Sequence, residues 1–416
     1  MQQRIKKRAD KGKEAGNMEL EKLALGEKKE YPEWDIKDLT LMSPGPTQVA
    51  PNVRKVRSYN VSSPIVDKRF FDFYKETCEK MAQILDTKST FYIMNGEGIL
   101  GLEAACASMT EKGDRVLVLD NGVYGKGFAD FIELYQGEAV VVSFDYHRPI
   151  DAKELKVYLE KDHDFKYATL VHSDTPSGIL NPVETLCPLL KSYGIMTVVD
   201  SVTGMFGDEL SIDKAQIDIC CGGSQKALSA PPGLTMVAVS ETARKAMHER
   251  KTPIASFYAN LLTFETYYED MHFPYTQPIS DIYGLRAALE DVERDTNRFW
   301  RHKVIAKAVR QTLSEAGVKL YLEDGYASTV TAFYVPDGLT DKQIMDEMLE
   351  KHHIIISGSL GDLKGKLMRI GHMGNNANVT DVKNTLSALT QVLQAHDISV
   401  KEDMGEAFVR CIEEME

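Results

Sequence analysis

Through the middle of the chain, short apolar runs alternate with amphipathic segments, starting near residue 90. The apolar runs are rich in β-branched residues, so we predict buried strands at 116–119, 139–143, 168–172, 197–200, 217–221 and 235–239. Amphipathic segments such as 151–160 and 182–193 lie between most of them and predict helices. This alternation is typical of an α/β fold with a mostly parallel sheet, helices on both faces and ligands at the carboxyl edge.

The pattern changes near residue 295. A long helical pattern around 280–310 is followed by strand patterns at 329–334 and 367–370, with a helical pattern at 340–350 between them. We therefore predict a large domain over 41–295 and a smaller α+β domain over 296–416, because the length exceeds one ordinary core. Residues 1–40 are predicted to form a mobile charged arm, since Lys and Glu dominate its first 33 positions.

Composition narrows the possible partners and the compartment. The 416 residues are 43% hydrophobic and 27% charged, and the net charge of −13 disfavours nucleic acid and anionic membrane surfaces. No apolar run approaches membrane-spanning length, and the N-terminus lacks the apolar core of a secretory signal. Six cysteines without CxxC spacing predict buried, reduced thiols in a cytoplasmic protein. The pair His352–His353 precedes an apolar run, so we interpret it as strand histidines and predict no metal site.

The strongest chemical signal is a carboxylate and a lysine that follow two neighbouring apolar runs. Asp200 ends the run at 197–200, and Lys226 follows a turn of small residues at 222–224. At the carboxyl ends of adjacent strands, such a pair can ion-pair with a pyridine nitrogen and form a Schiff base with an aldehyde. On spacing alone, a capping Asp and an unrelated surface Lys explain the pattern equally well.

The flanking motifs favour the chemical interpretation. The segments SPGP at 43–46, NGVYG at 121–125, DTPSG at 174–178, GSQKAL at 223–228, APPG at 230–233 and RIG at 369–371 resemble class-V, fold-type I pyridoxal-phosphate aminotransferases. The likeness covers about residues 40–395 and is to the alanine–glyoxylate and serine–pyruvate group. Within the family, GE at 96–97, VYGKGF at 123–128 and RIGHMG at 369–374 look most like pyridoxamine–pyruvate transaminase.

The resemblance implies a role for each matched residue. Lys226 would form the Schiff base and later move a proton, and Asp200 would keep the pyridine nitrogen protonated. Tyr124 would stack on the cofactor ring, Thr175 would hydrogen-bond its phenolic oxygen, and Arg369 would grip the substrate carboxylate with its planar fork. Further implied cofactor contacts are Gly96, Gly98, Ile99, Ser201, Val202, Gln225 and Thr276, and Pro46 would contact substrate. The resemblance also implies a homodimer in which residues 273–276 complete the opposite site.

The chain departs from the alanine–glyoxylate relatives at the phosphate end of the site. Glu97 stands where those relatives have a serine at the start of the phosphate-binding helix, and Phe273 stands where they often have a phosphate-binding tyrosine. Glu97 would repel a phosphate, or it would accept a hydrogen bond from the 5′-hydroxyl of unphosphorylated pyridoxal. A further departure has the opposite implication. Residues 357–361 lack the arginine that pyridoxamine–pyruvate transaminase carries before its RIG segment.

We therefore predict a ping-pong aminotransferase. It would move an amino group from a small donor such as alanine or serine to a small 2-oxo acid such as glyoxylate or pyruvate, with pyridoxal 5′-phosphate as cofactor. Three alternatives stay open: a pyridoxamine–pyruvate transaminase that uses unphosphorylated pyridoxamine and pyridoxal as bound substrates, a lyase or racemase built on the same Lys226 and Asp200, and a non-catalytic vitamin-B6-binding protein. A cysteine desulfurase is disfavoured because no cysteine lies between Gly222 and Arg410.

Overall fold

Residues 39–415 are described by a computed structural model of the chain, so most of the predicted charged arm lies outside the described residues. The strands are β1 Thr40–Leu41, β2 Thr90–Asn95, β3 Arg115–Asp120, β4 Glu138–Ser143, β5 Tyr167–Val171, β6 Ser173–Asp174, β7 Ile179–Leu180, β8 Met196–Asp200, β9 Ile219–Gly223, β10 Leu234–Val239, β11 Val330–Tyr334, β12 Ile354–Ile355, β13 Ser357–Gly358 and β14 Leu367–Gly371.

The α-helices follow the amphipathic segments and the apolar helical runs of the sequence. They are α1 Pro51–Val56, α2 Lys68–Ile84, α3 Gly98–Met109, α4 Val123–Leu134, α5 Ala152–Leu159, α6 Val183–Ser192, α7 Glu241–His248, α8 Ile279–Arg294, α9 Arg298–Glu315, α10 Asp341–His352, α11 Val379–Ala395 and α12 Met404–Glu413. Several begin at side-chain caps, such as Asp151 before α5 and Ser240 before α7, which accept hydrogen bonds from first-turn amides.

A seven-stranded sheet with the order β2-β10-β9-β8-β5-β3-β4 forms the centre of the molecule. All of its neighbouring strands pair in parallel except β10, which runs antiparallel to both β2 and β9. The six strands predicted for this sheet are present, so the mostly parallel α/β fold is confirmed. The prediction missed β2. It also could not give the reversed direction of β10, because an apolar run has the same pattern whichever way the strand runs in the sheet.

The sheet interior explains why these runs form strands. β5, β9 and β10 are buried at every position, as expected for strands covered on both faces. Helices α2, α3, α4 and α6 pack against the sheet. All six cysteines are buried and unpaired.

The C-terminal part of the chain contains a second, three-stranded sheet with the order β11-β14-β13. The long helical pattern near residue 300 is in fact two helices, α8 and α9, which are separated at residues 295–297. His352 and His353 are not strand residues: His352 ends α10, and His353 caps that helix in the left-handed region at φ 56°. The division into domains 41–295 and 296–416 stays a prediction.

Sheet topology determines which loops meet. β8 and β9 are parallel neighbours, with Asp200 directly opposite Cys221. The turn that follows β9 therefore lies at the same edge of the sheet as Asp200, as carboxyl ends of parallel strands do.

Candidate active site

Lys226 lies in the turn after β9, and its amine is held by the segment at residues 44–47. Lys226 Nζ donates a 2.6 Å hydrogen bond to Pro44 O. Thr47 Oγ1 donates to Lys226 O at 2.9 Å, so one short segment contacts both the backbone and the amine of this lysine. Gly45 has φ +109°, a backbone conformation that favours glycine, and the absence of a β-carbon lets this segment pass close to the Lys226 amine.

Asp200 ends β8 and is only 5% exposed. Its Oδ1 accepts a 2.9 Å hydrogen bond from Val202 N, which caps the following turn. The capping role that the sequence left open is therefore real, yet the carboxylate also lines the cavity that contains Lys226. Both interpretations of Asp200 describe the same side chain.

Burial shifts the pKa of both groups towards neutrality. Burial lowers the pKa of Lys226 to about 8, with Arg369 as a second lowering influence, while Glu97 and Asp200 oppose the shift. Burial raises the pKa of Asp200 to about 7 against the hydrogen bond from Val202 N. Buried groups with pKa values moved towards neutral pH are typical of catalytic sites, where proton transfer needs both protonation states.

A cavity of about 350 Å³ brings most of the predicted site residues together. Nine of them line it: Pro46, Glu97, Ile99, Tyr124, Thr175, Asp200, Val202, Gln225 and Lys226. Gly96, Gly98, Ser201, Arg369 and Thr276 do not line it. Gly98 packs against Val202 of the cavity wall, since a β-carbon at this position would lie only 2.6 Å from the Val202 side chain. Ser201 points away from the cavity lining, with its Oγ hydrogen-bonded to His172 Nδ1 at 3.0 Å.

Glu97 precedes the first turn of α3 and faces the cavity. It is the N-cap residue of that helix, yet its side chain makes no capping bond. Instead Glu97 Oε2 accepts a 2.6 Å hydrogen bond from Gln225 Nε2, which leaves Gln225 Oε1 buried without a partner among residues 39–415. A carboxylate therefore stands at a helix N-terminus, where the backbone amides favour an anion.

Arg369 reaches the site from β14 and is 6% exposed. Its Nε donates to Gly358 O at 2.8 Å and one Nη to Thr175 O at 3.2 Å. These two bonds place the guanidinium beside the Thr175 wall of the cavity. The Thr175 hydroxyl bonds the Thr203 hydroxyl at 2.7 Å.

Thr276 lies in a different place from the other predicted contacts. It lines a separate groove of about 210 Å³ together with Ile65, His272 and the 273–275 segment. Phe273 is buried in an aromatic cluster, stacked on Phe71 at 4.7 Å between ring centroids.

Sequence reasoning missed five residues that line the cavity: Gly45, Leu102, Ser173, Thr203 and Pro232. Gly45 and Pro232 lie within the motifs at 43–46 and 230–233, and Ser173 directly precedes the motif at 174–178, so their position in or beside these motifs is the signal for them. Leu102 lies one helical turn after Gly98, and a helical projection of α3 identifies it. Thr203 had no signal, because its position depends on how the loop after β8 turns.

The family model of the class-V aminotransferases matches residues 41–384. The chain belongs to the class-V aminotransferase family. The pyridoxamine–pyruvate transaminase of Mesorhizobium japonicum is 32% identical, over 88% of this chain and 94% of the relative. The alanine–glyoxylate aminotransferase of Callithrix jacchus is 30% identical, over 85% of this chain and 87% of the relative. The crystal structure of ureidoglycine–glyoxylate aminotransferase from Bacillus subtilis has a TM-score of 0.88 at 28% identity and covers 92% of this chain and 100% of that one.

The predicted resemblance, the fold-type I fold and the enzyme class are thereby confirmed. The protein is a pyridoxal-dependent aminotransferase, and class-V aminotransferases of this kind use pyridoxal 5′-phosphate as cofactor. The assignment favours catalysis over the vitamin-B6 carrier that the sequence left open. Within residues 39–415, no helix combines the length and apolar content needed to cross a bilayer, and no three metal-ligating side chains cluster.

Proposed function

We propose that this aminotransferase carries out ping-pong transfer from a small amino acid such as alanine or serine to a small 2-oxo acid such as glyoxylate or pyruvate, with Lys226 as its reactive amine. One observation carries the proposal: half-buried Lys226 and buried Asp200, with pKa values of about 8 and about 7, line one small cavity. The names of the alanine–glyoxylate and ureidoglycine–glyoxylate relatives support the choice of small 2-oxo acids.

The residues of the cavity fit the ring and aldehyde of pyridoxal. Asp200 offers a buried carboxylate to the ring nitrogen, Tyr124 offers an aromatic face, and the amine of Lys226 offers a nucleophile. When bound, pyridoxal phosphate supplies an aldehyde that condenses with an amine and a pyridinium ring that takes up electrons from the substrate. A cationic ring nitrogen would in turn lower the pKa of Asp200 and keep its carboxylate ionised.

Lys226 supplies the proton transfer. Because burial lowers its pKa to about 8, a useful fraction of the amine is neutral near physiological pH and can accept the proton from the substrate's α-carbon. The hydrogen bond to Pro44 O holds the free amine at the wall of the cavity.

Arg369 orients the substrate. The two described bonds of its guanidinium use two of five N–H donors, so the remaining donors can bind a carboxylate. A carboxylate held by such a planar fork is fixed in orientation as well as position, which aligns the α-carbon with Lys226. Both substrates of a transaminase carry this carboxylate, so one arginine serves both half-reactions.

We propose a homodimer in the cytoplasm, in which Thr276 completes the partner's site. Ile65, which lines the groove that contains Thr276, is exposed, as are its neighbour Val66 and Tyr258, whose ring stacks on the groove residue Tyr275 at 4.2 Å. An exposed apolar surface of this kind favours burial against another chain. Six buried free thiols support a reducing compartment.

Glu97 favours a second candidate, the pyridoxamine–pyruvate reaction on unphosphorylated pyridoxamine. Its carboxylate lines the cavity at the N-terminus of α3, where the cofactor phosphate would bind. Two unit charges about 4 Å apart repel by about 4 kcal/mol at an effective dielectric constant near 20, which is about a thousandfold in affinity. A 5′-hydroxyl would instead donate a hydrogen bond to Glu97. The relative of that name is 32% identical to this chain.

Isotope transfer tests the proposed reaction. Stripped protein loaded with pyridoxal phosphate is given ¹⁵N-alanine and glyoxylate, and mass spectrometry follows the label into glycine. We expect labelled glycine in many turnovers per site. Release of labelled ammonia or racemised alanine without labelled glycine would contradict the transaminase reaction and indicate a lyase or racemase.

Cofactor titration separates the two candidates. The affinities of stripped protein for pyridoxal phosphate and for pyridoxal are measured in the wild type, in Glu97→Ser and in the control Glu103→Gln. Glu103 lies on the same helix but bonds Tyr135 at 2.8 Å outside the cavity. If the second candidate holds, the wild type forms alanine from pyridoxamine and pyruvate, and only Glu97→Ser gains phosphate-form affinity. Tight binding of the phosphate form by the wild type would remove it.

A further inference from the structure

Arg298, the first residue of α9, has a buried guanidinium next to the turn that carries Lys226. The side chain is 6% exposed. Its Nε donates to Phe206 O at 2.5 Å, and one Nη donates to Ala227 O. Phe206 lies in the loop after Asp200, and Ala227 directly follows Lys226, so one side chain joins the loops that carry both candidate catalytic groups.

The two carbonyl oxygens depend on this arginine. Among residues 39–415, no other hydrogen-bond donor reaches Phe206 O or Ala227 O. A buried carbonyl without a donor is costly, so loss of the guanidinium would force the turn or the loop to move. The rigid fork of arginine serves two carbonyls at a fixed angle, which a lysine ammonium on a flexible stem does not reproduce.

Arg298 is not explained as half of an ion pair. Its nearest carboxylate oxygen is Asp295 Oδ2, at 4.0 Å, whereas Arg301 takes that carboxylate in two bonds of 2.8 and 2.5 Å. Burying a cation that lacks a close anion is unfavourable, so the bonds to Phe206 O and Ala227 O are the close contacts that compensate for the burial of this guanidinium. Burial lowers the pKa of Arg298 only to about 10, so the side chain remains charged at neutral pH.

His302 extends the same set of contacts to the segment that follows Arg369. Its Nδ1 donates to Arg298 O at 2.7 Å, and its Nε2 accepts from Gly374 N at 3.0 Å. Burial lowers the pKa of His302 to about 3, which keeps the ring neutral with one donor and one acceptor nitrogen. A β-carbon at Gly374 would lie 2.6 Å from Ala227 O, so the two segments are already in close contact.

We propose that Arg298 is a positioning residue that fixes the turn at 226–229 and so holds Lys226 at the distance that its proton transfer requires. The inference rests on the proposed role of Lys226. Other bonds also hold this turn: Thr47 Oγ1 and Ser229 N both donate to Lys226 O at 2.9 Å, and Asn375 N donates to Ser229 Oγ at 2.8 Å. Arg298 bonds the next carbonyl of the turn, Ala227 O, and the same guanidinium also bonds Phe206 O in the loop after Asp200.

Arg298→Lys and Arg298→Gln test the proposal, with Arg301→Lys as the matched control. Arg301 lies on the same helical turn and donates to Ala377 O, but it does not touch the 226–229 turn. The measurements are kcat, the KM of each substrate, the pH midpoint of the cofactor absorbance, and Tm. We expect Arg298→Lys to lose about 10- to 100-fold in kcat with KM changed less than threefold, since small misplacements of a reacting group have effects of this size. The absorbance midpoint should shift by at least half a pH unit, and Arg301→Lys should match the wild type.

The outcomes are distinguishable. Folded Arg298 variants with wild-type kcat and absorbance midpoint would overturn the inference, as would a failure of Arg298→Lys to fold when Arg301→Lys folds, because that assigns the residue to stability alone. Borohydride reduction and peptide mapping of the wild-type holoenzyme provide a separate control. A label on an amine other than Lys226 would contradict the proposed function, whereas a label on Lys226 leaves only the Arg298 step in question.

Discussion

At the scale of single residues, Asp200 combines a cost in stability with the role proposed for it in catalysis. Asp200 is buried and raised in pKa to about 7, so in the cofactor-free protein the folded state holds its proton more tightly than the unfolded state does. Its contribution to stability is therefore present below about pH 4 and is lost as the pH rises through about 7. Natural proteins accept this kind of local cost where a reaction requires the group.

Asp200→Asn should therefore raise the stability of the stripped protein and remove its activity. We expect a higher Tm than the wild type at pH 8 and no difference near pH 4, with kcat lower by at least 100-fold because an amide cannot hold a ring nitrogen protonated. Calorimetry across that pH range and steady-state kinetics measure the two effects. Asp218→Asn is the control: that buried carboxylate accepts from Lys191 Nζ at 2.8 Å, so its loss should lower Tm and spare kcat. A stable, active Asp200→Asn enzyme would contradict the assignment.

Arg369→Lys should weaken substrate binding more than it slows the chemistry. Lysine keeps the charge but lacks the fork that binds Gly358 O, Thr175 O and a carboxylate together. We expect the KM values for the amino acid and for the 2-oxo acid to rise together, about 10- to 100-fold, with kcat within about fivefold. Unequal changes, with one KM unaffected, would mean that the two substrates do not share this arginine.

At the scale of elements, the N-terminus of α3 and the loop after β8 form one packed wall. A β-carbon at Gly98 would lie 2.6 and 2.8 Å from the two methyl carbons of Val202. Val202 N also donates a hydrogen bond to Asp200 Oδ1, so a displacement of Val202 would also move the Asp200 carboxylate. The glycine after Glu97 is thus required by packing, which a motif comparison does not reveal.

Gly98→Ala should therefore weaken both stability and cofactor binding. Overpacking of this kind costs about 1–3 kcal/mol. We expect a lower Tm and about tenfold weaker binding of pyridoxal phosphate, measured by titration of stripped protein, and partial recovery in Gly98→Ala/Val202→Ala. Gly127→Ala is the control, since nothing lies within 4 Å of a β-carbon at that helical glycine. Equal behaviour of both single variants would show that α3 has room to shift.

At the scale of the whole molecule, the position of Thr276 makes the proposed dimer testable. Thr276 lies in a groove apart from the cavity of its own chain. It can therefore contact a cofactor phosphate only if that phosphate is bound in the cavity of a partner chain. A two-fold dimer would place each groove against the other cavity in the same way.

Mixing two inactive variants should restore activity if the sites are shared. Lys226→Ala and Thr276→Asp are denatured together, refolded and assayed. In a two-fold dimer, half of the assemblies contain one intact site, so we expect about a quarter of wild-type activity. A mixture of Lys226→Ala with Asp200→Asn should recover nothing, because each substitution lies in the cavity of the chain that carries it and every site of the mixed dimer is therefore defective. No recovery in the first mixture would contradict the contribution of Thr276 to the partner's site.

The sequence predicted the parts of this enzyme whose signals are local. Periodicity identified six of the seven strands of the central sheet, and short motifs proposed Lys226, Asp200, Tyr124 and Glu97 as site residues, because side-chain type and spacing along one segment carry that information. It also predicted the family and its cofactor. It did not find the break between α8 and α9 or the reversed direction of β10, because neither changes the apolar pattern.

Contacts between distant segments had to come from the three-dimensional packing. The bond between Glu97 and Gln225, the segment that holds the amine of Lys226, and the junction formed by Arg298 all join residues that are far apart in the chain. No periodicity encodes such meetings, because they depend on strand order and on how loops turn at the sheet edge. Residue types along the chain set which chemistry is possible, and the order of strands in the sheet sets which groups are close enough to perform it.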